Sequence, residues 1–171
     1  MRLKLIAVAG AIVLAGCTTK PPPATQGPPE APPASSEYAP VSQSNIIPGS
    51  AEDLRVNVGD TVHFDYDRYQ LREEDRSILQ RQASWLQKYP QVRVGIEGHC
   101  DERGTREYNL ALGARRANAV KEYLVSLGVS SGRVETISYG KERPACTESS
   151  DACYAQNRRG VTTVTGGAAS S

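Results

Sequence analysis

Proline partitions this chain. Nine of its eleven prolines lie between Pro21 and Pro48, in runs such as Pro21-Pro22-Pro23, Pro28-Pro29 and Pro32-Pro33. Ala, Ser, Thr and Gln fill the gaps, and large apolar side chains are scarce until Ile46 and Ile47. A segment with so little to bury cannot offset the entropy of ordering its backbone. Residues 17–50 are therefore expected to form an extended, disordered tether. At ~3.1 Å per residue it would reach ~100 Å when fully stretched. Folding is confined to one domain, expected over residues 51–165, followed by a loose Gly/Ala/Ser tail at 166–171.

The residues before the tether have a different character. Arg2 and Lys4 are followed by an apolar run from Leu5 to Leu14, then by the small residues Ala15 and Gly16 and by Cys17. Positive, apolar, then small is the order of a secretory signal peptide, here residues 1–16. The run is too short to span a bilayer as a helix, which takes ~20 apolar residues. Leu14-Ala15-Gly16-Cys17 resembles the bacterial lipobox. That resemblance implies cleavage before Cys17 and attachment of acyl chains to it, and several chains hold a protein stably on a membrane. Thr18, where an Asp would favour retention in the inner membrane, implies the outer membrane, with the domain facing the periplasm. Loss of residues 1–16 removes Arg2 and Lys4, changing the formal charge from +1 to −1. A near-neutral chain is not a nucleic-acid binder driven by bulk charge.

The domain alternates between two periodicities. Val62, Phe64 and Tyr66 alternate with polar residues, as in a strand, and Val56 and Val58 suggest a shorter one before it. From Glu73 to Tyr89, apolar residues at 78, 79, 85, 86 and 89 mark one helical face, closed by Pro90. Val92, Val94 and Ile96 alternate again. A second helix is expected from Arg106 to Leu127, capped by Thr105 and stopped by Gly128. Val134–Tyr139 and Arg159–Thr165 read as further strands. The order β-α-β-α-β-β specifies an α+β fold, an α/β sandwich with helices covering one side of a sheet.

Chemistry-bearing residues concentrate in Gly98-His99-Cys100-Asp101-Glu102-Arg103-Gly104-Thr105, where a strand gives way to a helix. No metal-ligand spacing of the zinc-finger kind and no phosphate-binding glycine loop is present, so neither a metal nor a cofactor is expected. Export permits disulfides, and Cys146 and Cys153 flank a short loop, which makes them the candidate bridge. Cys100 is then left as a small buried hydrophobe. A thiol- or metal-dependent periplasmic enzyme using Cys100 is the alternative from a different functional class.

Phe64-Asp65-Tyr66-Asp67 with Leu71, then GHCDERGTREYNLALGARRANAVKEYL, then SYGKERP and Asn157-Arg158-Arg159, closely resemble the OmpA-like peptidoglycan-binding domain. The resemblance spans about residues 55–165 and implies a mixed sheet covered by helices on one side. It also implies a non-enzymatic protein that holds the diaminopimelate residue of the peptidoglycan stem peptide. That residue ends in an ammonium and a carboxylate on one carbon. The family motif places the ammonium on Asp101 and the carboxylate on Arg116, whose planar guanidinium forms paired hydrogen bonds. Phe64, Asp65, Tyr66, Arg103, Leu112 and Arg159 are the candidate walls. For the lipid-anchored members of the family, the resemblance further implies contact with TolB and a part in envelope constriction at division. The other member of the binding class is an OmpA-like lipoprotein outside the Tol system. Arg116 lies ~10 residues into its helix, or ~15 Å along the axis. The loop from Asp101 must therefore double back, and Gly104 permits such a turn.

Overall fold

The computed structural model describes residues 46–169. The signal peptide, Cys17 and nearly all of the tether lie outside the described residues, as do the last two residues of the tail.

Four strands form one sheet in the order β1-β4-β2-β3. β1 (Thr61–His63) and β2 (Arg93–His99) flank β4 (Arg159–Gly166) and run antiparallel to it, while β3 (Val134–Gly140) lies parallel to β2. The fold is α+β, with a mixed sheet and its helices on one side. The strand period explains this layering. Val94 and Ile96 are buried, and Gly98 continues their face against the helices. Arg93, Gly95, Glu97 and His99 point the other way.

α2 (Glu73–Lys88) buries Leu79, Ala83, Trp85 and Leu86, and its first turn carries Glu73, Glu74 and Asp75, which suit the positive end of the helix dipole. The Arg133 guanidinium, on the short turn Ser131–Arg133, donates to the carbonyls of Leu86, Tyr89 and Val92 and closes the far end of α2. α3 (Arg106–Ser126) begins at Thr105, whose hydroxyl accepts from the Tyr108 amide, and ends before Gly128 at φ +94°. Its buried stripe runs through Asn109, Leu112, Gly113, Arg116, Ala117, Val120 and Leu124. At Gly98 and Gly113 the helix and β2 meet backbone to backbone: a Cβ on Gly98 would lie 1.9 Å from the Gly113 carbonyl oxygen.

Four details depart from the sequence reading. Residues 54–58 form a helical turn after α1 (Ala51–Asp53), not a strand. Leu54 and Val58, four apart, share the inward face, and Val56 is exposed. β1 stops at His63; Phe64 still donates its amide to Arg158, and then the chain turns through Asp67 at φ +56°. A short helix α4 (Asp151–Asn157) stands between β3 and β4. The tail does not fray at 166. Gly166 ends β4, Gly167 packs directly on the Gln91 carbonyl, and the Ala169 amide donates to Gly49.

Candidate functional site

At the C-terminal end of β2 the chain rises into the loop 100–105 and returns as α3. Gly104, at φ +88°, makes the reversal. Because α3 crosses β2 at Gly113, the loop folds over the first two turns of the helix. Asp101 and Arg116 thereby line one cleft of about 220 Å³, together with Tyr66, Asp67, Arg103 and Leu112.

Arg116 forms the floor and is fully buried. Its Nε donates to the Arg68 carbonyl at 2.8 Å, Nη1 to His99 at 2.7 Å and Nη2 to Asp65 at 3.1 Å. The Phe64 ring lies against it at 5.2 Å. Three of its five N–H groups are thus spent on carbonyls. No carboxylate of the described residues comes within 4 Å of it. Burial pulls its pKa down, with partial opposition from Cys100 and Asp101. A guanidinium remains charged under such pressure, so the floor of the cleft is a buried cation that lacks a counter-ion.

Asp101 is also buried, and its acceptor capacity is full. Oδ1 accepts from the Arg103 amide and Nε at 3.2 and 3.1 Å. Oδ2 accepts from Arg103 Nη2 at 2.6 Å and Arg158 Nη1 at 3.3 Å. Burial would raise its pKa, but these bonds outweigh it and hold the carboxyl below its usual range. The Arg103 guanidinium is flanked by the rings of Tyr66 at 4.1 Å and Tyr154 at 4.5 Å. The loop carbonyls are pinned as well. Lys141 donates to Glu102 and Gly104, and Asn109 donates to Arg103. The second carboxylate of the cleft, Asp67, accepts the Tyr108 hydroxyl and forms no salt bridge among the described residues.

Of the sequence candidates, Asp101, Arg116, Tyr66, Arg103 and Leu112 meet at the cleft. Phe64 and Asp65 stand behind it: the first supports the Arg116 guanidinium with its ring, the second with its main-chain carbonyl. Arg159 is a correction. It points to the other face of the sheet and donates to the Arg143 carbonyl, and its neighbour Arg158 reaches Asp101 instead. Successive residues of extended chain face opposite sides, so the single step from Arg158, just before β4, to Arg159 exchanges the two roles. Asp67, Tyr108, Asn109 and Arg158 were missed as site residues. All four stand in the quoted motifs, Asp67 in Phe64–Asp67, Tyr108 and Asn109 in the stretch after Gly98, and Arg158 in Asn157-Arg158-Arg159, and that membership is the signal that could have found them. Cys146 and Cys153 are joined in a disulfide, and Cys100 is a buried free thiol.

The fold and this cleft define a member of a known class: the chain belongs to the OmpA family, whose pattern matches residues 63–158. It is 46% identical to the peptidoglycan-associated lipoprotein of Mesorhizobium japonicum over 162 residues, which is 95% of this chain and 91% of that one. It is 58% identical to the protein of the same description from Rhizobium meliloti over 123 residues, 72% of this chain and 69% of that one. The crystal structure of the peptidoglycan-associated lipoprotein from Burkholderia pseudomallei superposes with a TM-score of 0.61 at 42% identity, covering 62% of this chain and 90% of that one. Among the described residues no helix is long and apolar enough to cross a membrane.

Proposed function

We propose that this chain holds peptidoglycan without cleaving it, gripping the zwitterionic end of a diaminopimelate stem residue in the cleft, and so ties the outer membrane to the wall through the lipid on Cys17 and the tether. The buried Arg116 guanidinium at the cleft floor carries this reading, because its two remaining N–H groups lack an anion. A ligand carboxylate supplies one. The ligand ammonium faces Asp101 and Asp67. Since the lone pairs of Asp101 are already shared between two arginines, the ammonium leans on Asp67, with the Asp101–Arg103 fork left in place as the rim beside it. The same surface is the proposed contact for TolB, so wall and TolB compete for it during constriction at division.

The rival thiol chemistry lacks support at Cys100. Burial pushes its pKa up to about 11, and its Sγ lies against the Asn109 carbonyl. At neutral pH that leaves on the order of one molecule in 10⁴ as the reactive thiolate.

Sedimentation with purified sacculi tests the reading. Wild-type protein should pellet and be released by soluble diaminopimelate, but much less by 1,5-diaminopentane, whose ends carry an ammonium and no carboxylate. Arg116→Lys keeps the charge and loses the planar fork, and should bind roughly 10- to 100-fold more weakly. Arg115→Ala, on the exposed face beside Tyr69, should bind as wild type. If Arg116→Lys binds normally while Arg115→Ala fails, the site is misplaced.

A further inference from the structure

The loop that carries Asp101 and Arg103 rests on an element outside the cleft. α4 is seven residues long, too short to hold its shape alone. Two fastenings hold it. The Cys146–Cys153 disulfide ties its first turn to the segment after β3. At its other end buried Asn157 accepts from the amides of Ala145 and Cys146 and donates to the Cys146 carbonyl. From this helix three contacts reach the loop. The Tyr154 ring lies on the Arg103 guanidinium, the Tyr154 hydroxyl donates to Glu102 at 2.8 Å, and Arg158, just past the helix, donates to Asp101. Ser149, inside the closed ring, donates to the same Glu102 oxygen at 2.9 Å.

We propose that the Cys146–Cys153 bridge positions the ligand site: it sets α4 so that Tyr154 holds Arg103 in its fork on Asp101, and the cleft rim is thereby formed before the ligand arrives. The inference rests on the peptidoglycan-binding reading above and adds to it a covalent strut whose contact with the ligand is indirect. Arg103 has long, rotamer-rich side-chain torsions and is about one-third exposed. Without the ring on its outer face it must be ordered again at each binding event. Ordering one such side chain corresponds to roughly a 2- to 10-fold loss of affinity.

The test is a cycle on the full-length protein, with a soluble diaminopimelate-terminated muropeptide as the probe and melting temperature recorded beside affinity. The bridge is opened in two ways: by Cys146→Ser with Cys153→Ser, and in wild-type protein by a water-soluble phosphine. The phosphine converts the S–S bond to two thiols and is itself oxidised to the phosphine oxide, with water supplying the oxygen and the two protons. Both forms should bind about 2- to 10-fold more weakly than the bridged protein. Tyr154→Ala should lose a similar factor with the bridge closed, and opening the bridge in that background should cost nothing further. Tyr154→Phe keeps the ring on Arg103 and should retain most of the affinity and the sensitivity to the bridge.

A general loosening would lower the melting temperature in every background and would make the two affinity losses multiply; multiplied losses overturn the proposal. So does undiminished affinity in bridged Tyr154→Ala, a result that stands even if the opened forms do not fold. Wild-type protein that binds equally with the bridge open and closed overturns this inference alone. Wild-type protein that ignores the muropeptide overturns the binding reading, and this one with it.

Discussion

His99 is buried at the end of β2, on the face of the sheet away from the helices. Its main-chain carbonyl accepts from Arg116, and its buried ring lies beside the Arg143 main chain, which partly opposes the loss of the ring's proton. Around the ring stand Tyr139, Arg143, Arg159 and Glu97. Burial first, and then the Arg159 charge, push its pKa down to about 4, so the 3.4 Å approach to Glu97 joins a neutral ring to a carboxylate and is no ion pair. The sign of the linkage follows. A ring that is neutral in the fold but protonates near 6.5 when unfolded favours the native state fully above pH 6.5. That advantage is lost as pH falls from 6.5 towards 4. Denaturant unfolding at pH 7 and pH 4.5 should show wild type losing about 2 kcal/mol more than His99→Gln; parallel losses would mean that the ring does not titrate in this way. Residues of this kind also mark where sequence reading ended. Arg116 lies on the buried stripe of α3, where a hydrophobicity pattern expects a Leu, and only the family motif identified it. The choice between Arg158 and Arg159 depended on strand phase, which a strand with one large inward apolar residue, Val164, does not declare.

At the scale of elements, the crossing of α3 over β2 decides whether the cleft forms. The missing side chains of Gly98 and Gly113 let the helix sit on the strand, and Arg116, three residues past the crossing, then meets the carbonyls of His99, Asp65 and Arg68. Gly98→Ala would place its Cβ inside the Gly113 carbonyl, where only main chain can yield. It should destabilise the domain by at least about 2 kcal/mol and weaken peptidoglycan binding together with it. Gly95→Ala, three residues earlier and on the outer face, meets the side chains of Thr163 and Thr165 at 3.2 to 3.4 Å. Those threonines can shift, so the cost should stay under about 1 kcal/mol. Thermal melts of the two variants decide the matter, and equal losses would mean that the crossing is not the tight point. The long elements α2, α3 and β2 were legible because each repeats an apolar period over seven residues or more. α4 was not, since Asp-Ala-Cys-Tyr-Ala-Gln-Asn has no apolar stripe and is held by a disulfide and one Asn. The turn at 54–58 misled because Val56 and Val58 alternate like a strand, whereas the inward contacts fall on Leu54 and Val58.

For the whole molecule, the expected attachment by acyl chains on Cys17 predicts a clean phenotype. Cys17→Ala should incorporate no radiolabelled palmitate and should leave the envelope's outer-membrane fraction, while the isolated variant still sediments with sacculi. Undiminished label would remove the lipobox reading. The described residues add a mechanical fact to this picture. The chain enters the domain at Gly49, beside Tyr89 and Ala169, at the end where β2 begins. The cleft lies at the end where β2 stops, ~20 Å away along seven residues of strand. From the entry point the path leads into β1, which is parallel to β2, and on to the carbonyls of Asp65 and Arg68 that Arg116 holds. Given the proposed attachments to membrane and wall, a pull between them would act lengthwise on β1 against β4. Their cross-strand hydrogen bonds would then share the load in shear instead of being peeled apart one at a time.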